Sequence, residues 1–171
     1  MILRDAIESD LPAIFQILHE EVLNTINTFK LEPLTPEQQA AWWRSHRDER
    51  YPVLVAVDDE ALLGWASLSA WSTTHGGYHR TAEISIWIDS RFRGRRVGTS
   101  LLDALIARAH AIGFRVLLSK IEASNRASLR LHERFEFTEV GVMKHVGEKF
   151  NRLLDVVILQ RELATKNEQP G

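Results

Sequence analysis

Residues 91–99 read Arg91-Phe92-Arg93-Gly94-Arg95-Arg96-Val97-Gly98-Thr99, and this stretch decides the fold. A strand-like run over residues 83–88 precedes it, and a helix-like run over residues 97–112 follows it. A helix N-terminus presents free backbone N–H groups and the positive end of the helix dipole, and nearby arginines add bidentate donors. The stretch therefore predicts an anion site for a phosphate or pyrophosphate. The alternative is a turn whose arginines only solvate the surface.

Outward from this turn, the apolar pattern and the turn signals predict one α/β domain. The predicted strands cover residues 2–6, 53–57, 62–68, 81–88, 116–121, 139–145 and 153–159, with a possible bulge at Gly64. The predicted helices start near residues 10, 36, 97 and 125 and end near residues 24, 50, 112 and 135. This order predicts a mixed sheet with helices on its faces. We expect a single domain over residues 1–163 and a polar, disordered tail over residues 164–171.

The composition excludes several classes of protein. The chain has 171 residues and a net charge of −2, so no global basic field favours a nucleic-acid partner. No cysteine is present, which excludes disulfides and a cysteine nucleophile. The histidines other than His132 lack metal-ligand spacing, so we expect no metal. No signal-peptide pattern and no apolar run of membrane-spanning length occurs, so we expect a cytoplasmic protein with no membrane partner.

Glu83 is the first candidate catalytic residue. Strand alternation places Ile84, Ile86 and Ile88 on one face and Glu83, Ser85 and Trp87 on the other. A carboxylate inside a central strand, shortly before the anion turn, is either an ion-paired glutamate or a general base. The position beside the turn favours the base.

Residues 125–133 supply the second candidate. Asn125 stands where a strand gives way to a helix, so its simplest role is an N-cap. Ser128 and His132 are four residues apart and share a helix face. These residues are either a cap with ordinary polar surface or a polar row aimed at a ligand, in which His132 could donate a proton.

The turn and the Asn-x-x-Ser helix together resemble the acetyl-CoA site of the Gcn5-related N-acetyltransferases (GNAT). Residues 78–83, 85–88, 121–132 and 146–150 resemble, more narrowly, the phosphinothricin and methionine sulfoximine acetyltransferases. The resemblance covers residues 2–163. It implies the GNAT acyl-CoA N-acyltransferase fold, with a central, mostly antiparallel sheet flanked by about four helices. It also implies acetyl-CoA as the cofactor, a small amine as the substrate and a homodimer as the assembly.

The resemblance assigns roles to individual residues. Glu83 would be the general base, Ser128 and His132 would lie near the departing thiolate, and the acetyl group would pass directly to the amine. Backbone groups of residues 86–88 would bind the pantetheine, and residues 94–99 would hold the pyrophosphate. The full set of expected cofactor contacts is Ile86, Trp87, Ile88, Arg93, Gly94, Arg95, Arg96, Val97, Gly98, Thr99, Asn125 and Ser128. The expected acceptor contacts are Phe29, His75, Tyr78 and Arg80.

Three positions depart from the family pattern. Arg96 and Glu136 stand where glycine is usual, and the loop at residues 71–77 lacks the arginine that would pair with a substrate carboxylate. We therefore expect an amino-acid-like acceptor of the phosphinothricin, methionine sulfoximine or methionine sulfone type, with less anionic amines preferred over phosphinothricin unless His75 or Arg80 substitutes. The alternatives are an acetyltransferase for protein N-termini or aminoglycoside-type amines, and a non-catalytic acyl-CoA-binding sensor.

Overall fold

A computed structural model describes residues 1–59 and 61–164 of the protein. The strands are β1 Ile2–Asp5, β2 Val53–Asp58, β3 Ala61–Ala70, β4 Thr81–Ile88, β5 Val116–Glu122, β6 Thr138–Lys149 and β7 Arg152–Glu162. The α-helices are α1 Leu11–Asn24, α2 Pro36–Ser45, α3 Val97–Ile112 and α4 Arg126–Arg134.

Within the described residues the strands form one seven-stranded sheet in the order β1-β2-β3-β4-β5-β7-β6. Strands β4 and β5 are parallel, whereas every other neighbouring pair is antiparallel. The predicted fold class, a mixed and mostly antiparallel sheet with four flanking helices, is confirmed. β4, which carries Glu83, is the central strand of this sheet.

The parallel strands β4 and β5 stay together for only a short distance. In the part of the chain that the structure describes, their pairing begins at Thr81 and ends at Glu83, which lies opposite Leu118. On its other side, β4 remains paired with β3 as far as Ile88. The second half of β4 therefore separates from β5, and a gap opens in the middle of the sheet.

Apolar residues cover both faces of the sheet. The α3 side holds the larger cluster, in which Leu101, Leu102 and Leu105 pack against Ile84. On the opposite side, Trp65 packs with α1, and Trp87 contacts this second cluster. The predicted division of β4 into an Ile84 face and a Trp87 face is confirmed.

All seven predicted strands and all four predicted helices are present, but several of their ends differ from the prediction. α2 stops at Ser45 rather than near Arg50, with His46 as its C-cap and the His46 Nδ1 2.8 Å from the carbonyl of Trp42. β6 and β7 extend to a tight turn at Phe150 and Asn151, whose φ angles are 52° and 57°. Positive φ at both central residues is typical of a type I′ hairpin turn, which Asn-Gly usually signals.

Two glycine-related predictions can be compared with the backbone. The β2–β3 register shifts between Ala56 and Val57, where Gly64 lies opposite Ala56, so the predicted bulge at Gly64 is confirmed. Glu136 follows α4 with a φ of 60°, in the left-handed region that favours glycine. The predicted tail lies outside the described residues apart from residue 164. No helix among the described residues is long and apolar enough to cross a membrane.

Candidate active site

A cavity of about 600 Å³ occupies the gap between β4 and β5 and extends over the N-termini of α3 and α4. Its wall includes eleven of the twelve predicted cofactor contacts: Ile86, Trp87, Ile88, Arg93, Gly94, Arg96, Val97, Gly98, Thr99, Asn125 and Ser128. Arg95 is not among the lining residues, and its guanidinium lies 5.4 Å from the centre of the Phe92 ring. The structure thus brings the turn, the strand and the helix of the prediction to one cavity.

The turn before α3 takes its shape from two left-handed residues. Gly94 has a φ of 77°, and Arg96, the residue that caps α3, has a φ of 63°. A non-glycine residue in this region costs roughly 1–3 kcal/mol, which explains why glycine would suit position 96. Residues 97–99, the first residues of α3, line the cavity, and the first N–H groups of a helix lack intrahelical acceptors.

Gly98, the second residue of α3, has little space for a side chain. A Cβ atom at Gly98 would lie 3.2 Å from a methyl carbon of Leu131 and 3.7 Å from Ile88. A glycine here lets α3 approach both α4 and β4, and it leaves the backbone accessible from the cavity. A pyrophosphate fits this set of donors, because it needs backbone N–H groups and a positive helix end.

Two of the arginines in the turn already have carboxylate partners. Arg91 forms an ion pair with buried Asp89 at 2.6 Å, and this contact holds the pKa of Asp89 below its ordinary value. Arg93 forms an ion pair with buried Glu21 of α1. These side chains shape the turn, so an anion bound here would rely more on the backbone than the sequence suggested.

Glu83 lies on the cavity wall at the point where β4 and β5 separate. Its side chain is 26% exposed, and its Oε1 lies 3.1 Å from Nζ of Lys120. The ion pair of the simpler interpretation is therefore present, and the carboxylate still faces the cavity. Its role as a base stays a prediction.

On α4, Asn125 is the N-cap, since its Oδ1 accepts a hydrogen bond from the Ser128 N–H at 3.1 Å. His132 is fully buried with its ring against Phe137, and its Nδ1 donates to the Ser128 carbonyl at 2.9 Å. Burial lowers the pKa of His132, which favours the neutral ring. Its Nε2 has no hydrogen-bond partner among the described residues and carries a lone pair rather than a proton.

One of the four predicted acceptor contacts lines the cavity, and the other three do not. Phe29 lines the cavity, and its ring lies against Gly147, where a Cβ atom would collide with it. His75, Tyr78 and Arg80 are exposed and do not line the cavity. The structure therefore does not bring these three residues together with Glu83, and their role in acceptor binding remains a prediction.

Sequence reasoning missed the buried carboxylate of Glu21, which organises the part of the cavity wall near Phe29. Glu21 accepts hydrogen bonds from Thr25 Oγ1 at 3.0 Å and Asn27 Nδ2 at 2.8 Å, in addition to its ion pair with Arg93. Lys149, also buried, donates to the Thr28 carbonyl at 3.0 Å, and burial lowers its pKa. These contacts fix the loop at residues 25–29 against the anion turn.

Lys120 was missed as well, although the sequence contained a signal for it. It follows Ser119 and precedes Ile121 in a strand that is otherwise largely buried. A charged side chain inside such a strand requires a partner or a function, which was the argument that identified Glu83.

The chain resembles known proteins over nearly its whole length. The profile of the "Acetyltransferase (GNAT) family" matches residues 12–137. An L-methionine sulfoximine/L-methionine sulfone acetyltransferase of Pseudomonas aeruginosa is 37% identical, covering 98% of each chain. A phosphinothricin N-acetyltransferase of Streptomyces coelicolor is 34% identical over 94% of this chain and 95% of its own.

A solved structure gives the same result. The GNAT superfamily phosphinothricin acetyltransferase of Sinorhizobium meliloti, in complex with acetyl-CoA, superimposes with a TM-score of 0.91 at 33% identity. The match covers 99% of this chain and 92% of that one. Profile, sequence relatives and fold agree, and the chain belongs to the GNAT family of acetyltransferases.

Proposed function

We propose that this acetyl-CoA-dependent N-acetyltransferase acts on the primary amine of a small, amino-acid-like compound, with Glu83 as the general base. The observation that carries the proposal is the position of the Glu83 carboxylate on the cavity wall, where β4 leaves β5. Relatives that act on methionine sulfoximine, methionine sulfone and phosphinothricin support an acceptor of this class.

The residues of the cavity fit acetyl-CoA. Its pyrophosphate would lie on the N–H groups of residues 97–99, and its pantetheine would follow the part of β4 that has separated from β5. When bound there, acetyl-CoA supplies an activated acetyl thioester. Holding the acceptor amine beside this group removes much of the entropic part of the barrier.

Glu83 has the chemistry for the first proton transfer. An amine is largely an ammonium ion at neutral pH and has no free lone pair for attack. A carboxylate within hydrogen-bond reach, directly or through one water molecule, can accept the ammonium proton.

Ser128 is a better candidate than His132 for protonating the departing thiolate. Both line the cavity, but neutral His132 uses its only ring proton in the bond to the Ser128 carbonyl. Burial disfavours the imidazolium that would have a second proton. The Ser128 hydroxyl has a proton of its own and is partly exposed.

An acceptor screen tests the proposal. Wild-type protein is mixed with acetyl-CoA and single amines, and free thiol release is measured together with the mass of the product. The panel contains methionine sulfone, methionine sulfoximine, phosphinothricin, other amino acids, short peptides and an aminoglycoside. Acetylation of free amino acids ahead of the other classes is expected.

Preference for a peptide N-terminus or an aminoglycoside would replace the proposed acceptor class. Tight acetyl-CoA binding with no turnover on any amine would favour a sensor. Glu83→Gln separates the two cases, because the enzyme should lose turnover in this variant and keep its acetyl-CoA affinity, whereas a sensor has no turnover to lose.

A further inference from the structure

Lys120 is the cation that contacts Glu83 across the parallel strands. Glu83 lies opposite Leu118, and Lys120 is two residues further along β5, so all three side chains leave the same face of the sheet. The Lys120 Nζ is 3.1 Å from the Glu83 carboxylate, and both residues line the cavity. A positive and a negative group thus stand side by side at the widening end of the gap.

The position of Lys120 is restrained on its other side by Trp71. Its Nζ lies 5.4 Å from the centre of the Trp71 ring, within the range of a cation–π contact. The side chain is nevertheless 42% exposed. Because an ammonium group has three N–H donors, Lys120 can bind a second anionic group while it remains paired with Glu83.

We propose that Lys120 binds the carboxylate of the acceptor and thereby selects free α-amino acids over amines that lack this group. This inference rests on the proposed function, because it assumes that Glu83 meets the acceptor ammonium. It adds a specificity-determining residue, one that recognises the carboxylate on the carbon adjacent to the amine.

The geometry of an α-amino acid suits this pair of charges. Its nitrogen lies about 2.5 Å from its carboxyl carbon, since only the Cα atom separates them. The charged atoms of Glu83 and Lys120 are 3.1 Å apart. A zwitterion can therefore place its ammonium on Glu83 and its carboxylate on Lys120 at the same time, with each charge meeting its opposite.

Other cations on the cavity wall lie elsewhere or have partners. Arg93 is paired with Glu21, and Arg96 stands at the start of α3. Arg130 and Arg134 belong to α4. By contrast, Lys120 is paired with the proposed base itself. It can supply the charge that the loop at residues 71–77 lacks, so the expected preference for less anionic amines no longer follows.

The test compares each amino acid acceptor with its own carboxamide, which keeps the amine and the side chain but removes the negative charge. Lys120→Met removes the cation and keeps the length of the side chain, whereas Lys120→Arg retains the charge. Lys144→Met is the matched control, because Lys144 forms an ion pair with Asp155 at 2.8 Å and does not line the cavity. The readout is the ratio of kcat/KM for the acid to kcat/KM for the carboxamide.

In Lys120→Met this ratio should fall about 10-fold to 100-fold, chiefly through the KM of the acid, because a charge-assisted hydrogen bond is lost. Lys120→Arg should recover at least part of the ratio, and Lys144→Met should leave it unchanged. Acetyl-CoA affinity, measured by calorimetry, should stay within about twofold in all three variants, since this group is assigned to the acceptor.

An unchanged ratio in Lys120→Met, with wild type still acetylating amino acids, would overturn the inference and leave the proposed function intact. An equal loss for acid and carboxamide would do the same, because Lys120 would then act only through Glu83. If wild type acetylates no amino acid at all, the proposed function itself fails.

Discussion

The two ends of the cavity are built in different ways. The end beside α3, here called the backbone end, is formed by Gly94 and residues 96–99, at a helix N-terminus whose first backbone N–H groups lack intrahelical acceptors. The end beside Glu83 is formed by side chains from α1, β4, β5 and the loop at residues 25–29. The first end suits a ligand with fixed chemistry, whereas the second can change its specificity by single substitutions without altering the fold.

The contrast in construction implies a contrast in response to mutation. At the backbone end, a side chain should affect ligand binding mainly through its volume, since the hydrogen-bond donors belong to the main chain. At the end beside Glu83, here called the side-chain end, removing one charged group removes a specific contact with the ligand. Variants at each end of the cavity test this distinction.

Glu83→Gln should have the largest effect, because it removes the proposed base and retains the shape of the side chain. We expect kcat to fall on the order of 10²–10⁴-fold at neutral pH, with acetyl-CoA affinity nearly intact. The deficit should shrink at high pH, where the amine loses its proton unaided. Steady-state rates across pH and calorimetry with acetyl-CoA provide the two measurements.

Full activity of Glu83→Gln at neutral pH would exclude Glu83 as the base. An equal loss at every pH would assign it a positioning role instead, and the acceptor end would then contribute binding without proton transfer.

Arg93→Met tests the link between the two ends, since Arg93 joins the anion turn to Glu21. Leaving the buried carboxylate without this partner should lower the free energy of unfolding by about 1–3 kcal/mol. The KM for the acceptor should rise, because Glu21 also holds Thr25 and Asn27. Denaturant unfolding and acceptor kinetics would be measured together.

The double variant Arg93→Met/Glu21→Gln is the control, since it removes both charges and should recover part of the stability. An opposite pattern, with stability retained and acetyl-CoA affinity reduced, would make Arg93 a phosphate ligand as the sequence predicted.

Gly98→Val tests whether added side-chain volume alone weakens acetyl-CoA binding at the backbone end. The branched side chain should meet Leu131 and Ile88 and reduce acetyl-CoA affinity by about 10-fold or more. Gly141→Val is the matched control, because a Cβ atom there meets nothing within 4 Å. Calorimetry on folded protein gives the affinities.

Adding Leu131→Ala to Gly98→Val separates two explanations. If the extra space restores acetyl-CoA affinity, the loss came from displacement of α3. Unchanged affinity in Gly98→Val alone would remove this turn from the cofactor site.

His132 lies between the two ends and should contribute a smaller, pH-dependent effect. The unfolded ring has an ordinary pKa near 6.5, whereas burial lowers the pKa of the folded ring, so the unfolded state binds more protons below that value. Stability should therefore be complete above about pH 6.5 and decline as the pH falls below it, by up to about 1.4 kcal/mol per pH unit for one histidine.

His132→Gln should flatten this decline, as measured by thermal unfolding between about pH 7 and pH 5. The pH dependence of stability is measured for His46→Gln as a comparison. Burial also lowers the pKa of His46, but His46 does not line the cavity. A pH slope in His132→Gln identical to that of wild type would show that His132 is not the group responsible.

The sequence predicted the backbone end better than the side-chain end, for a physical reason. The strand, turn and helix around Gly94 are adjacent in the chain, so their local signals are sufficient to place them together. The pairing of Glu83 with Lys120 depends instead on the register of two parallel strands separated by α3. No local pattern specifies that register.

Burial was the second quantity that local patterns could not supply. Glu21 follows Glu20 on a helix and looks like surface charge, yet it is buried among Arg93, Thr25 and Asn27. His132 was expected in an accessible polar row, but Phe137 packs against its ring. In both cases, the packing of a distant element decides the chemistry of the side chain.

The early separation of β4 from β5 has a consequence for hydrogen exchange. Within the described residues, β4 beyond Glu83 has a ladder partner on the β3 side alone. Amide protons that point into the gap should exchange with deuterium rapidly, and those that point toward β3 slowly. Acetyl-CoA should slow the first group selectively, so an alternating protection pattern along residues 84–88 would report its binding without any acceptor or turnover.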